Sequence, residues 1–182
     1  MLEIEIKAKI DDPLQIVDAL IHNGFLAEKN LEETDIYYNG IDRSFAKTDE
    51  ALRLRFTSSG KTTSAAITYK GPKLDKISQT RKELEVSLLD GPTMDALLRE
   101  LGHTPVLTVK KQRQYYQKDK ITACLDDVEG LGSYLELEML AEEKSNRDQA
   151  VAELFAVLKA LGVAQTSCTR KSYLEMLLEK LD

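Results

Sequence analysis

The chain lacks the features that mark several large classes of protein. No apolar run approaches the roughly 20 residues that a bilayer-spanning helix needs, so no membrane segment is expected. Cysteine is scarce, with Cys124 and Cys168 the only two in 182 residues. They sit far apart, in no metal-ligand spacing, which argues against a disulfide framework and a thiolate metal site. Positive charge is in deficit: 25 Lys and Arg stand against 31 Asp and Glu, giving a net charge of −6 and a pI near 5.1. A general nucleic-acid binder would need a basic face to neutralise phosphates, so that class is disfavoured. The two histidines, His22 and His103, fall at the ends of expected helices, where the negative dipole end favours them, and neither is given a catalytic role. The chain starts on a strand pattern rather than an apolar signal, so a cytoplasmic protein with reduced thiols is expected.

What is present is charge in register. Glu3-Ile4-Glu5-Ile6-Lys7 alternates strictly, so Leu2, Ile4, Ile6 and Ala8 share one face of a strand while Glu3, Glu5 and Lys7 share the other. The pattern returns in Leu52–Phe56, Arg81–Val86, Lys111–Tyr115 and Tyr134–Glu138. One such strand reads most simply as an edge strand with a wet face, but repetition at this regularity does not.

Taken in order, Asp12-Pro13 opens a helix with Ile16, Val17, Leu20 and Ile21 on one face, ended by Asn23-Gly24. A strand then runs into Thr34–Tyr38, Ile41 to Asp49 is loop, and strands at Ala51–Thr57 and Ala65–Tyr69 flank a hairpin turn. Lys73 to Thr80 is polar and basic, a candidate mobile loop over a site. From Arg81 the order starts again: a charged strand, a helix opened by Asp90-Gly91-Pro92 with Met94, Leu97, Leu98 and Leu101 inward, then three strands. A helix capped by Ser145 and another from about Arg170 finish the chain. One domain over 1–182 is expected, built of two similar halves at about 1–80 and 81–182. With 42% apolar residues it can bury a sizeable core.

About eight antiparallel strands charged along one face cannot form a sandwich, whose inner faces are apolar. The expected fold is α+β: a closed antiparallel eight-stranded β-barrel, a tunnel with a polar lumen and helices packed outside. Acids two apart on a strand lie roughly 7 Å apart, and like charges at that spacing repel by about 2 kcal/mol at an effective dielectric near 20. Lys7, Arg53, Arg55, Lys70, Arg81, Lys111 and Arg113 answer some of that charge. The remainder calls for Mg2+ or Mn2+, hard ions that take carboxylate oxygens and also bind polyphosphate. Acids with metal at one wall and Lys/Arg forks at the other describe a site for a triphosphate chain.

Glu3-x-Glu5-x-Lys7 resembles the ExExK signature of the CYTH superfamily, the triphosphate tunnel metalloenzymes. The similarity extends through Leu52-Arg53-Leu54-Arg55, Tyr69-Lys70-Gly71-Pro72, Arg81-x-Glu83-x-Glu85 and Lys111-x-Arg113. It continues in Leu125-Asp126-x-Val128-x-x-Leu131-Gly132-x-Tyr134-x-Glu136-x-Glu138 and Lys171-Ser172-Tyr173. Chain length, the Leu-Gly-x-Tyr-x-Glu segment and the terminal Lys-Ser-Tyr helix are similar to the class IV adenylyl cyclase branch. The resemblance implies two divalent metals and chemistry on a triphosphate. It implies Glu3, Glu5, Asp126, Glu136 and Glu138 as metal-side acids, with Glu5, Asp126 and Glu136 the catalytic ligands. Lys7, Arg53, Arg55, Lys70, Arg81, Lys111, Arg113 and Lys171 become the phosphate-side bases. Glu83 and Glu85 are set apart, because a neighbouring arginine can simply pair with them.

The reaction expected on this resemblance is ATP to cyclic AMP and pyrophosphate. Hydrolysis of inorganic tripolyphosphate or of a nucleoside or thiamine triphosphate is the alternative, and a non-catalytic polyphosphate-binding module is a third. The partner is a small-molecule triphosphate, with no nucleic acid and no membrane, and a homodimer is left open. Asp35, Tyr37 and Tyr38 lie where they could touch a base or ribose, though strand tyrosines usually pack. Tyr134 and Tyr173 carry the same reading, and Cys124 is read as a free buried thiol on either face of the barrel.

Overall fold

The computed structural model describes residues 2–74, 81–141 and 147–181. The elements are β1 (Leu2–Lys9), α1 (Pro13–His22), β2 (Leu26–Tyr38), β3 (Ala51–Ser59), β4 (Thr62–Lys73), β5 (Arg81–Leu88), α2 (Gly91–Glu100), β6 (Pro105–Lys118), β7 (Ile121–Val128), β8 (Gly132–Ala141), α3 (Arg147–Ala160), β9 (Cys168–Thr169) and α4 (Tyr173–Leu178). The expected mobile loop from Lys73 falls, from Asp75 onward, outside the described residues, as does the Ser145 cap.

Local chemistry sets the helix starts. The Asp12 carboxylate accepts from Leu14 N and Gln15 N, both at 3.1 Å. Asp90 accepts from Thr93 N at 2.9 Å. Ser172 and Glu175 form a reciprocal capping box at the start of α4. Each such cap stabilises its helix by about 1 kcal/mol. Gly91 has a further reason to be glycine, since a Cβ there would lie 2.4 Å from the Phe56 ring and 2.8 Å from Ala65 Cβ. The start of α2 therefore sits directly on β3 and β4.

All strand pairs are antiparallel, in the order β5-β4-β3-β2-β6-β7-β8-β1-β9. Strand, helix and three strands occur twice, as β1–α1–β2–β3–β4 and β5–α2–β6–β7–β8. Exchanging the two sets leaves the order of those eight strands unchanged. The sheet curls until its ends approach, but the expected closed eight-stranded barrel is corrected to a nine-stranded, half-open one. Among the described residues β1 and β5 meet at a single pair, Glu3 and Arg81. The free edge of β1 beyond that pair goes to β9, through Lys7↔Thr169 and Ala8↔Cys168. One strand edge serves one partner at a time, so the β1–β5 seam is short.

The apolar strand faces point outward under helices and the charged faces inward, which places the main core outside the lumen. Ile4, Ile6, Ala8, Ala123, Leu135 and Leu137 pack with Ile16 and Leu20 of α1 and Leu154 and Leu158 of α3. A second cluster, Tyr38, Leu54 and Leu98, lies under α2. One end of the lumen is apolar, where Tyr173, Leu174 and Leu177 at α4 meet Tyr37, Val109, Val128 and Tyr134. Three residues expected inward are not: Ile21, Leu97 and Leu101 are 58%, 46% and 60% exposed. Each ten-residue helix buries mainly one i,i+4 row against the sheet, Ile16/Leu20 with Val17 and Ala19 beside it in α1 and Met94/Leu98 in α2, and these three residues lie beyond it. Among the described residues no helix is long and apolar enough to cross a membrane.

Leu154 is fully buried between α3 and the sheet. Leu154→Ala is expected to lower stability by about 3 kcal/mol, read as a reduced urea midpoint with an unchanged slope. Because that contact lies outside the lumen, ligand binding in the lumen should persist in the variant.

Candidate functional site

Register builds the site. Across successive ladders the inward residues oppose one another as Glu33 and Lys111, Asp35 and Arg55, Lys70 and Glu83, Arg113 and Asp126, and Lys7 and Glu136. Each of these pairs joins opposite charges. Glu5, by contrast, lies directly across from a like charge, Glu138. All of these side chains except Glu33 and Asp126 line a cavity of about 500 Å³.

On the acidic wall, Glu5, Glu136 and Glu138 each bring one carboxylate oxygen to within 4.8 Å of the other two. Burial, and then the charge of Glu136, pushes the Glu5 carboxyl above its usual range, with Lys7 pulling the other way. Glu136 is buried too, yet Lys7 and Arg113 overcome that burial and hold its carboxyl well below the usual range. Lys7 Nζ lies 2.9 Å from Glu136 and 3.6 Å from Glu5, and 4.1 Å above the Tyr173 ring. Cys124 is on the lumen face, its sulfur 4.0 Å from Glu138 Oε1, and burial keeps it a protonated thiol.

On the basic wall the cations are held rather than loose. Arg55 forks onto Asp35 at 2.6 and 2.7 Å and reaches Glu33 at 3.0 Å. Arg113 forks onto Asp126 at 2.6 and 2.5 Å and also donates to Glu136. Lys111 lies 3.2 Å from Glu33 and 3.3 Å from Asp126, and Lys70 is 2.6 Å from Glu83. Burial opposes ionisation of Asp35, but Arg53 and Arg55 outweigh it and drive its carboxyl far below the usual range. Arg53 donates to Thr68 Oγ1 at 3.1 Å, while its Nε is buried without a hydrogen-bond partner among the described residues. A buried donor left unsatisfied is costly and marks a place where a ligand acceptor would be welcome.

Of the residues expected from sequence, Glu5, Glu136 and Glu138 come together, and Lys7, Arg53, Arg55, Lys70, Arg81, Lys111 and Arg113 line the same cavity. Asp126 lies apart from the acid cluster, its oxygens taken by Arg113, Lys111 and the Tyr173 hydroxyl at 2.8 Å. Lys171 does not line the cavity; it is exposed and pairs with Glu179 at 2.7 Å. Glu3 enters through its backbone position, opposite Leu140 and Arg81. Two acids were not in the expected set. The sequence reading gives Asp35 a base or ribose contact and Glu33 no role, although Glu33-x-Asp35-x-Tyr37 carries the same alternation as the other lumen strands.

Three clustered carboxylates, two of them directly opposed, fit a hard divalent cation, which takes oxygen ligands and removes their repulsion. The family profile described as the CYTH domain matches residues 1–173. The chain belongs to the CYTH family. Members of this family are adenylyl cyclase-like or triphosphatase enzymes that act on triphosphates with divalent metal ions. A Methanocaldococcus jannaschii relative, provisionally assigned as an adenylate cyclase, is 45% identical over 176 residues, 97% of this chain and 98% of the relative. The solved structure of a Pyrococcus horikoshii protein matches with a TM-score of 0.91 at 40% identity, covering 98% of this chain and 99% of that one. A more distant CYTH-type fold, a Hippeastrum adenylyl cyclase candidate described as having dominant triphosphatase activity, gives a TM-score of 0.62 at 16% identity, over 99% and 95% of the two chains.

The depressed Asp35 carboxyl makes stability depend on pH in one direction. The unfolded group titrates near 3.9 and the folded one lower, so its contribution is present above about pH 4 and is lost as pH falls toward the folded value. Asp35→Asn should cost about 3 kcal/mol at pH 7 by leaving buried arginine charge uncompensated. Chemical denaturation at pH 7 and pH 3 should show that difference shrinking in acid. A difference independent of pH would refute the ion-pair account.

Proposed function

We propose that this CYTH protein is a class IV-type adenylyl cyclase that converts ATP to cyclic AMP and pyrophosphate, with Mg2+ or Mn2+ held by Glu5, Glu136 and Glu138. The observation that carries the reading is the like-charge pair Glu5/Glu138 beside Glu136, facing a wall of anchored arginines and lysines across one cavity. A divalent ion bound at these acids supplies Lewis-acid charge, neutralising the phosphate chain and making the attacking 3′-hydroxyl easier to deprotonate.

The chain's own residues do the rest. Arg53 offers its unpartnered Nε to a phosphate oxygen. Arg55 and Arg113, immobilised by Asp35 and Asp126, hold fixed positive charge where the leaving pyrophosphate gains negative charge. Charge that is already oriented needs no reorganisation in the transition state. Lys7, Lys70 and Lys111 act as point charges along the same chain of phosphates. Cyclisation also requires the ribose 3′-oxygen to lie in line with the α-phosphate and the departing pyrophosphate. Hydrolysis of the terminal phosphate is the second reading, favoured by the triphosphatase activity described for the Hippeastrum neighbour. It needs the same acids and cations but no control of the ribose.

Chromatography of products from ATP and from tripolyphosphate, each with Mg2+ or Mn2+, separates the two. The cyclase reading expects cyclic AMP and pyrophosphate from ATP, whereas tripolyphosphate cleavage without cyclic AMP replaces it with the hydrolytic one. Glu5→Gln and Glu138→Gln should each lower turnover by about a hundredfold, the scale of one lost transition-state contact. Both should stay folded, since each removes half of a repelling pair. Full activity in EDTA would defeat the metal assignment.

A further inference from the structure

The cavity does not end with its charges. Its lining also takes in Asn39 and Phe45 of the β2–β3 loop, Val106 of β6 and Leu174 and Leu178 of α4, and Lys73 Nζ ties that loop to the helix, 2.7 Å from Asp49 and 3.4 Å from Glu175. The loop is fastened rather than slack. Asn39 N donates to Thr104 O at 2.9 Å, Glu50 N to Phe45 O at 2.9 Å, and Arg43 forks onto Glu50 at 2.8 and 2.9 Å. Gly40 is packed so closely that a Cβ would fall 2.5 Å from Arg43 O and 2.8 Å from the Phe45 ring.

Asn39 lines this part of the cavity, and its orientation is fixed. Its Oδ1 accepts from Gly40 N at 3.0 Å and from Phe45 N at 2.9 Å. The amide therefore cannot flip, and its Nδ2, which bonds to nothing among the described residues, is a donor left for a ligand. Apolar surface from Phe45, Val106, Leu174 and Leu178 with one placed donor suits a flat heteroaromatic ring, and the acids Asp49, Glu50 and Glu175 in the same lining disfavour a phosphate there. Spacing agrees. Tyr134 packs edge-on against Tyr173, with ring centroids 5.3 Å apart, at the base of α4. Glu136 and Glu138 follow it by two and four residues along β8, so the acid cluster lies roughly 7–13 Å deeper. A ribose and the first phosphates bridge such a span.

We propose that the part of the cavity lined by the β2–β3 loop, Val106 and α4 is the nucleoside subsite, with a purine base against Phe45, Val106, Leu174 and Leu178 and Asn39 Nδ2 donating to a ring nitrogen. The assignment rests on the reading of the lumen as a triphosphate site. It makes Asn39 and the α4 leucines the residues that separate a nucleotide from a bare polyphosphate.

The test compares binding of ATP and of tripolyphosphate to the full chain by calorimetry, with Ca2+ as the hard cation. Asn39→Asp keeps an oxygen for the Gly40 and Phe45 amides and replaces only the free donor. Leu178→Asn leaves the loop untouched and removes apolar wall. Asn39→Asp should weaken ATP about tenfold, as expected for one lost hydrogen bond that leaves its partner unsatisfied. Leu178→Asn should weaken ATP about threefold, and both variants should leave tripolyphosphate within twofold of the parent. A mere charge effect of the new aspartate would fall at least as hard on tripolyphosphate. Equal loss of both ligands, or ATP binding unchanged in both variants, overturns the nucleoside subsite while the triphosphate reading stands. Failure of the parent protein to bind either ligand overturns both together.

Discussion

Two carboxylates facing each other across a β ladder repel, and β1 and β8 place Glu5 and Glu138 in that position with Glu136 alongside. Opposed like charges destabilise a sheet, so this contact must be compensated from outside the ladder. Lys7 supplies part of the compensation from within the chain. For the remainder, three carboxylate oxygens within 4.8 Å of one another fit the proposed hard cation. The strand pairing that creates the repulsion is fixed by the outer core, where Ile4, Ile6, Leu135 and Leu137 lock the register under α3. Hydrophobic packing on one face thus enforces electrostatic stress on the other.

The opposite wall solves the converse problem. Buried arginines and lysines would repel one another and lose hydration, and Glu33, Asp35 and Asp126 prevent this by forked and shared contacts. Net affinity for an anion is reduced by such pairing, but position is gained, because a guanidinium clamped at two atoms cannot follow a mobile ligand. Asp126 holds Lys111 and Arg113 in place, and its contact with Tyr173 ties that network to α4.

Period-two charge made the inward faces legible before any coordinates, because side-chain direction in a strand depends only on parity. Capping residues located α1 and α2 for a similarly local reason. Partner choice was less legible. Nothing in Cys168-Thr169 announces that two residues will take the edge of β1 and leave the barrel half open. Asp126 shares the parity of the metal-side acids, yet which cation claims a carboxylate depends on the neighbouring strand, and β6 places Arg113 opposite it. The stretch from Ile41 to Asp49 reads as featureless polar loop, since its order comes from contacts such as those of Asn39 and Glu50 that have no period to detect.

The exchange symmetry of the strand order has an evolutionary side. Superimposing the two sets by that exchange puts β6 with Lys111 and Arg113 where β2 has Glu33 and Asp35, and β7 with Asp126 where β3 has Arg53 and Arg55. Likewise β8 carries Glu136 and Glu138 where β4 carries Thr68 and Lys70. Over these three strand pairs the charge is largely reversed, whereas β1 and β5 both carry acids, Glu3 and Glu5 against Glu83 and Glu85. Two identical copies of such a unit would offer the same surroundings to both ends of a linear ligand and could not tell its terminus from its middle. Carried on one polypeptide, the two halves hold different residues at corresponding strands, and that difference gives the container a head and a tail.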